Sequence, residues 1–156
     1  VAASLGSAVP LVLDGGACMA GLESTLVALR EGGGWQILRP GPIDAARISA
    51  ALGSAPDAVT SAAIEAPGQL AGHYAPGKPL RLNATAARPD EFLIGFGPVA
   101  GDLSLSPAGD LAEAAAQLYA ALHAAAASPR PCIAVAPVPA AGIGAAINDR
   151  LARAAA

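Results

Sequence analysis

Asp110-Leu111-Ala112-Glu113-Ala114-Ala115-Ala116-Gln117-Leu118-Tyr119-Ala120-Ala121-Leu122 is the stretch on which the fold turns. Leu111, Ala115, Leu118 and Leu122 recur at the spacing of a single helix face, and Asp110 with Glu113 three residues on has the form of a capping box. The spacing therefore predicts a helix with one apolar stripe. Short apolar runs lie on either side of it: Leu80 to Leu82 and Phe92 to Phe96 before, Pro131 to Ala136 after. Each is strand-length and bounded by Gly, Pro or polar residues. Beyond them Ile143, Ile147 and Leu151 mark one face of a terminal helix bearing Asp149, Arg150 and Arg153 on the other; Asn148, Asp149 and Arg150 read most simply as polar helix residues, with a place at a domain interface as the alternative. Strand, helix, strand, helix in that order predicts an α/β fold, a small parallel sheet with helices packed on it.

Upstream the pattern changes. Leu26 to Leu29 and Trp35 to Leu38 flank Arg30-Glu31-Gly32-Gly33-Gly34, which predicts a β-hairpin. Asp44 to Leu52 reads as a helix stopped by Gly53, and Leu11 to Asp14 as a buried strand running into the Asp14-Gly15-Gly16 turn. From Gly53 to Lys78 only Ala58 to Ile64 interrupts a run of Gly, Pro, Ser and Ala without period, so a linker is expected there. Its stretch from Pro67 to Pro76 nevertheless holds His73 and Tyr74, from a chain with two histidines and two tyrosines in all. A passive spacer rarely needs either. The sequence contains no internal repeat.

Composition narrows the function classes. The chain of 156 residues is 54% hydrophobic and 13% charged, much of the apolar share being alanine. Charged residues, Gly or Pro break every apolar stretch well before the ~20 residues that span a bilayer, so a soluble protein is expected. A net charge of -3 without a Lys or Arg cluster argues against a direct nucleic-acid footprint. Cys18 and Cys132 lack ligand-like spacing, which favours two reduced thiols in a cytoplasmic protein. The first ten residues have neither an initiator Met nor the order of a signal peptide, and read as a cut rather than a start.

Several segments carry candidate chemistry. Gly21-Leu22-Glu23-Ser24-Thr25 stands directly before a strand, where hydroxyls and amides can meet a ligand; a turn satisfying its own backbone is the plainer reading. Arg39, in Leu38-Arg39-Pro40-Gly41, ends a strand on the same side as Ser24. Its guanidinium suits two charge-assisted bonds to phosphate oxygens, and a surface ion pair fits the residues equally well. Gly142-Ile143-Gly144-Ala145-Ala146-Ile147 begins like a dinucleotide fingerprint but has Ile147 at the third glycine position and no acidic residue ~20 positions on, so it reads as a helix start. His73 and His123 read as structural and solvent-facing, respectively. No serine nucleophile elbow, Walker-type loop or metal-ligand cluster is present, so the sequence nominates no catalytic side chain and no metal ligand.

Taken in order, Leu13-Asp14-Gly15-Gly16, Gly21-Leu22-Glu23-Ser24-Thr25, Ile37-Leu38-Arg39-Pro40-Gly41, Ala66-Pro67-Gly68 with His73-Tyr74-Ala75-Pro76, and Gly144-Ala145-Ala146-Ile147-Asn148-Asp149-Arg150-Leu151 run along nearly the whole chain. This series resembles the long form of the threonylcarbamoyl-adenylate synthase family, in which a YrdC-type catalytic domain is joined by a linker to a small α/β domain. The resemblance implies three parts: the end of a YrdC-type twisted-sheet domain in residues 1–56, an interdomain linker in 57–78, and a Rossmann-like accessory domain in 79–156.

It also implies an activity, the condensation of L-threonine, bicarbonate and ATP into threonylcarbamoyl-AMP and pyrophosphate, on the route to N6-threonylcarbamoyladenosine at position 37 of tRNA. ATP would enter as substrate with Mg2+ held by its phosphates, and other tRNA-modification proteins are the expected partners. By resemblance Ser24 contacts the threonine moiety, Arg39 the ATP phosphates, and Tyr74 the nucleotide from the linker side. The lysine- and arginine-containing motif and the serine- and asparagine-containing loop that family members carry upstream are not in this sequence, which implies that the chain alone is inactive. The alternative is a non-catalytic regulatory or partner-binding module of the same pathway.

Overall fold

The computed structural model describes residues 2–58, 64–70, 72 and 74–156. Among them the order is α1 (Ala2–Leu5), β1 (Leu26–Leu29), β2 (Trp35–Arg39), α2 (Ala45–Leu52), β3 (Leu80–Arg81), β4 (Glu91–Gly95), β5 (Leu103–Ser104), α3 (Leu111–Ala127), β6 (Cys132–Val135) and α4 (Gly144–Ala154). His73 and most of the Ala58 to Ile64 stretch lie outside the described residues.

The carboxy-terminal sheet has the order β3-β6-β4-β5, every neighbouring pair being parallel. Because side chains alternate along a strand, the paired Phe92 and Ile133, and Ile94 and Val135, share one face, while Leu93 and Ala134 share the other. The first face meets Leu118, Leu122 and the alanines of α3, with Ile147 and Leu151 of α4, in one continuous core. The second face buries Leu93, Ala134 and Ala84 with Val99 against them. Strands covered on both faces have no polar side to alternate with, which is why β4 and β6 appear in the sequence as unbroken apolar runs.

The stripe on α3 behaves as its spacing predicts, with Ala115, Leu118 and Leu122 buried and Leu111 at its partly exposed start. Its capping box differs from the expected form. Asp110 accepts from the Glu113 amide at 2.8 Å, but the Asp110 amide donates to the hydroxyl of fully buried Ser106 at 2.9 Å, and that hydroxyl donates to the Glu113 carboxylate. Ser106 is thus inserted into the box.

The upstream part pairs β1 with β2 in an antiparallel hairpin, with an irregularity between Leu26 and Val27. Trp35 anchors it: the ring is 1% exposed and its Nε1 donates to Ser54. Helix α2 is capped as the sequence predicts, Asp44 accepting from the Arg47 amide and Gly53 adopting the left-handed conformation that ends the helix. Between α2 and β3 the described residues form neither helix nor strand.

One expectation fails. Leu11 to Asp14 is not a buried strand: no ladder forms, and Leu11 and Leu13 are 71% and 87% exposed. A strand needs a neighbouring backbone to accept its hydrogen bonds, and among the described residues none lies beside this run. Arg150, read as a polar residue of α4 with a domain interface as the alternative, is fully buried. That side of α4 faces protein rather than water. No helix among the described residues is long and apolar enough to cross a membrane.

Candidate functional site

The upstream hairpin, the segment around residues 65–76 and the helices α3 and α4 meet along one seam, and most of the candidate residues lie on it. Its first side is the turn before β1. Gly21 has φ +64, and a Cβ there would stand 2.2 Å from the Ala115 carbonyl oxygen, so only glycine lets this turn lie on α3. Thr25 then fixes the other end, donating through Oγ1 to the Ile43 carbonyl at 2.7 Å and accepting from the Ile43 amide at 3.2 Å.

Arg39, 9% exposed at the end of β2, closes this turn. Its Nε and Nη2 donate to the Ser24 carbonyl at 3.3 and 3.0 Å, and its Nη1 donates to the Pro67 carbonyl at 3.2 Å. The surface ion pair left open by the sequence is therefore not what forms; three of the five guanidinium N–H donors hold backbone carbonyls of two separate segments. Ser24 itself keeps its side chain exposed, while its carbonyl is held.

The 65–76 segment is joined to β2 by a residue that sequence reasoning passed over. Gln69 accepts from the Glu65 and Ala66 amides at 2.7 and 2.9 Å and donates to the Leu38 carbonyl at 3.0 Å. One amide side chain thus forms a tight turn and docks it. Its neighbour Gly68 sits between Arg39 and Tyr74: a Cβ there would be 2.9 Å from the Tyr74 hydroxyl and 3.4 Å from Arg39 Nη1. Tyr74 and Arg39, 35 positions apart, are in this way brought against the same residue.

Behind Tyr74 lies the third side of the seam. Its ring stacks on Tyr119 of α3 at 5.7 Å between centroids, and Arg150 of α4 stands over it at 5.3 Å. Arg150 Nε donates to Glu23 at 2.9 Å, and the Tyr119 hydroxyl donates to the same carboxylate oxygen at 2.9 Å. Partial burial alone would raise the Glu23 carboxyl, but the hydrogen bond from Arg150, with those from its own backbone and Tyr119, reverses this and holds its pKa at about 2. Burial, and then the bond to Glu23, push Tyr119 well above the usual phenol range. Glu23 is an ionised acceptor in this arrangement. A cavity of about 320 Å³ opens between Tyr74, Pro76, Tyr119 and His123, the last exposed at its rim.

The other nominated segments stay apart. Asp14 forms a turn with the Gly16 amide at 2.9 Å, in an exposed stretch. Cys18 and Cys132 are separate free thiols. Gly142 to Ile147 leads into α4 as expected of a helix start. Among the described residues no group of three or more His, Cys, Asp or Glu could hold a metal ion.

Comparison with known families now bears on this geometry. Residues 43–156 match the family described as threonylcarbamoyl-AMP synthase, C-terminal domain. The chain belongs to that family. The matched span takes in α2, the 65–76 segment with Tyr74, the parallel sheet and both helices of the seam; Ser24 and Arg39 precede it. Among solved structures the chain is similar to P. abyssi Sua5, crystallised in complex with L-threonine, with a TM-score of 0.79 and 24% identity. That likeness of fold covers 99% of this chain and 52% of the P. abyssi one, so it extends across the hairpin as well. The chain spans about half the length of that protein. No curated protein matches the sequence significantly.

Proposed function

We propose that this chain is the carboxy-terminal portion of an L-threonylcarbamoyladenylate synthase, a nucleotidyltransferase that joins L-threonine, bicarbonate and ATP into threonylcarbamoyl-AMP with release of pyrophosphate, and that it is inactive on its own. In the reaction the nitrogen of threonine attacks the carbon of bicarbonate and water leaves, giving a carbamate; a carbamate oxygen then attacks the α-phosphate, and pyrophosphate leaves. Such a step asks the protein to align reactants and offset phosphate charge rather than supply a nucleophile. A seam with an arginine, a tyrosine and an exposed serine, but without a catalytic triad, suits that demand.

The observation that carries the reading is the convergence at Gly68, where Arg39 ties the Ser24 turn to the segment bearing Tyr74. In the proposed roles the Ser24 side chain meets the threonine moiety, Arg39 the ATP phosphates through its remaining donors, and Tyr74 the nucleotide. Mg2+ arrives with the phosphates. The protein works in the cytoplasm, on the route to the modified adenosine at position 37 of tRNA, with other tRNA-modification proteins as partners.

The test compares a full-length protein containing this sequence with the chain itself, measuring threonine-dependent pyrophosphate release from ATP. Activity is expected in the first and absent in the second. An active chain, or a full-length protein that releases no pyrophosphate, overturns the proposal. Within the full-length protein Tyr74→Ala should weaken ATP binding or slow turnover; unchanged kinetics would remove Tyr74 from the site.

A further inference from the structure

Arg150 is the one fully buried charged side chain among the described residues, and the reaction proposed above gives it no task. Burying an arginine is costly unless every side of it is met, and here each is. Nε reaches Glu23 at 2.9 Å, Nη1 reaches Asp149, Nη2 reaches the Pro40 carbonyl at 2.9 Å, and the flat face covers the Tyr74 ring at 5.3 Å. Glu23 precedes Ser24, Pro40 follows Arg39, and Tyr74 is the third nominated residue. Each of the three candidate contacts therefore has Arg150 on itself or on its chain neighbour.

The rest of α4 reinforces the same contact. Asp149, held by Arg150, also accepts from Arg153 Nη2 at 3.0 Å, and Arg153 in turn bonds the Gln69 carbonyl. The Gly72 amide donates to the Arg153 carbonyl at 3.2 Å. The last turns of α4 thus grip the 65–76 segment at Gln69, Gly72 and Tyr74. Only a planar fork can point at a carboxylate, a carbonyl and a second carboxylate while presenting a face to a ring; a lysine ammonium is a single point on a flexible stem.

We propose that Arg150 is a positioning residue, which holds the Glu23-Ser24 turn and the Tyr74 ring in one arrangement so that the carboxy-terminal layer sets the geometry of the candidate site. That Ser24 and Tyr74 meet substrate rests on the function proposed above; that Arg150 fixes their arrangement does not. The accessory layer is then part of the site by way of one side chain, without touching substrate.

The chain has two tyrosines, so tyrosinate absorbance reads this seam directly. In the intact seam burial raises the Tyr74 pKa from the ordinary 10.0, Arg150 and Arg39 lower it, and Glu23 raises it. Two outcomes of Arg150→Met then have opposite signs. If Arg150 positions the segment, Tyr74 is released to water and its titration falls toward the ordinary value. If Arg150 is only a neighbour, Tyr74 stays buried, loses a cation that favours its ionised form, and titrates higher.

Chymotryptic cleavage after Leu70 and Tyr74 gives a second reading at neutral pH, expected to be about tenfold faster in the variant. A rise in the tyrosine midpoint with unchanged cleavage overturns the proposal. Should Arg150→Met lose its helical circular dichroism, Arg150→Lys serves instead, keeping charge without the fork, and wild-type behaviour in that variant overturns the proposal equally. Neither readout needs synthase activity. Release of Tyr74 in a protein whose full-length form makes no pyrophosphate would sink the synthase reading and leave this one standing.

Discussion

Gly21→Ala would test whether the upstream hairpin truly rests on the carboxy-terminal layer. The added Cβ would stand 2.2 Å from the Ala115 carbonyl oxygen and 2.3 Å from the Ala116 Cα, both backbone atoms of α3 that cannot rotate away. Restoring ordinary contact requires the turn to lift by about 1 Å, in addition to the ~1–2 kcal/mol that a non-glycine residue costs in the left-handed region. A lift of that size carries Glu23 away from Tyr119 and Arg150, each now at 2.9 Å, and out of hydrogen-bond range. Glu23 keeps about a third of its side chain in water, so each lost bond counts at the low end, ~1 kcal/mol. The expected destabilisation is therefore ~3–4 kcal/mol, a large fraction of the stability of a small domain.

Urea unfolding with two probes reads it. Trp35, the single tryptophan, lies in the hairpin and is buried, while helical circular dichroism is dominated by α3 and α4. The tryptophan transition should move to lower urea by that amount and separate from the helical transition, because the parallel sheet with α3 has its own core. A loss below about 1 kcal/mol with coincident transitions would refute the docking of the 21–25 turn on α3.

Two further outcomes follow from the same contacts. Glu91 is nearly buried and takes a two-pronged bond from Arg81 at 2.6 and 2.7 Å, so that its pKa, like that of Glu23, falls from 4.5 to about 2. Carboxyls depressed on folding contribute stability that is fully present above pH 4.5 and lost as pH falls toward 2; thermal melts should be flat above pH 5 and drop below 4.5, with a shallower drop in Glu91→Gln, and an unchanged slope in that variant would remove Glu91 from the account. Asp44→Ala removes the cap of α2, a helix with no fully buried residue, and should cost about 1 kcal/mol by urea titration, fraying α2 while the tyrosine signals of the seam stay as they are.

The seam also explains how three separate pieces of the chain hold one arrangement. Its polar contacts join residues from the hairpin, the 65–76 segment and α4, and they are satisfied mostly by backbone carbonyls and by one shared carboxylate. Backbone partners are specific to position rather than to side chain. A displaced segment therefore cannot find equivalent bonds elsewhere, and the three pieces keep one relative arrangement or lose several bonds together.

Most of the secondary structure was legible in the sequence because its causes are local. The apolar spacing of α3, the caps Asp44 and Gly53 around α2, and the glycine-rich turn between β1 and β2 each act within a few residues. The family, likewise, was legible from five short segments in order. Leu11 to Asp14 shows the limit of local reading: its composition suits a strand, but a strand exists only where another backbone pairs with it.

The site was less legible, and the reason is distance along the chain. Tyr119 finds Glu23 across 96 positions and Arg150 finds it across 127, so no periodicity near α4 could show what meets Arg150. Gln69 carried no signal at all, since its work lies in three bonds to backbone amides and a carbonyl. The sequence alone determined the helices α2, α3 and α4, because capping, hydrogen bonding and apolar spacing within a segment decide a helix. Only the tertiary structure decided that a polar helix residue is buried, and that the hairpin, the 65–76 segment and the helical layer close around it, because burial is a property of what arrives from elsewhere in the chain.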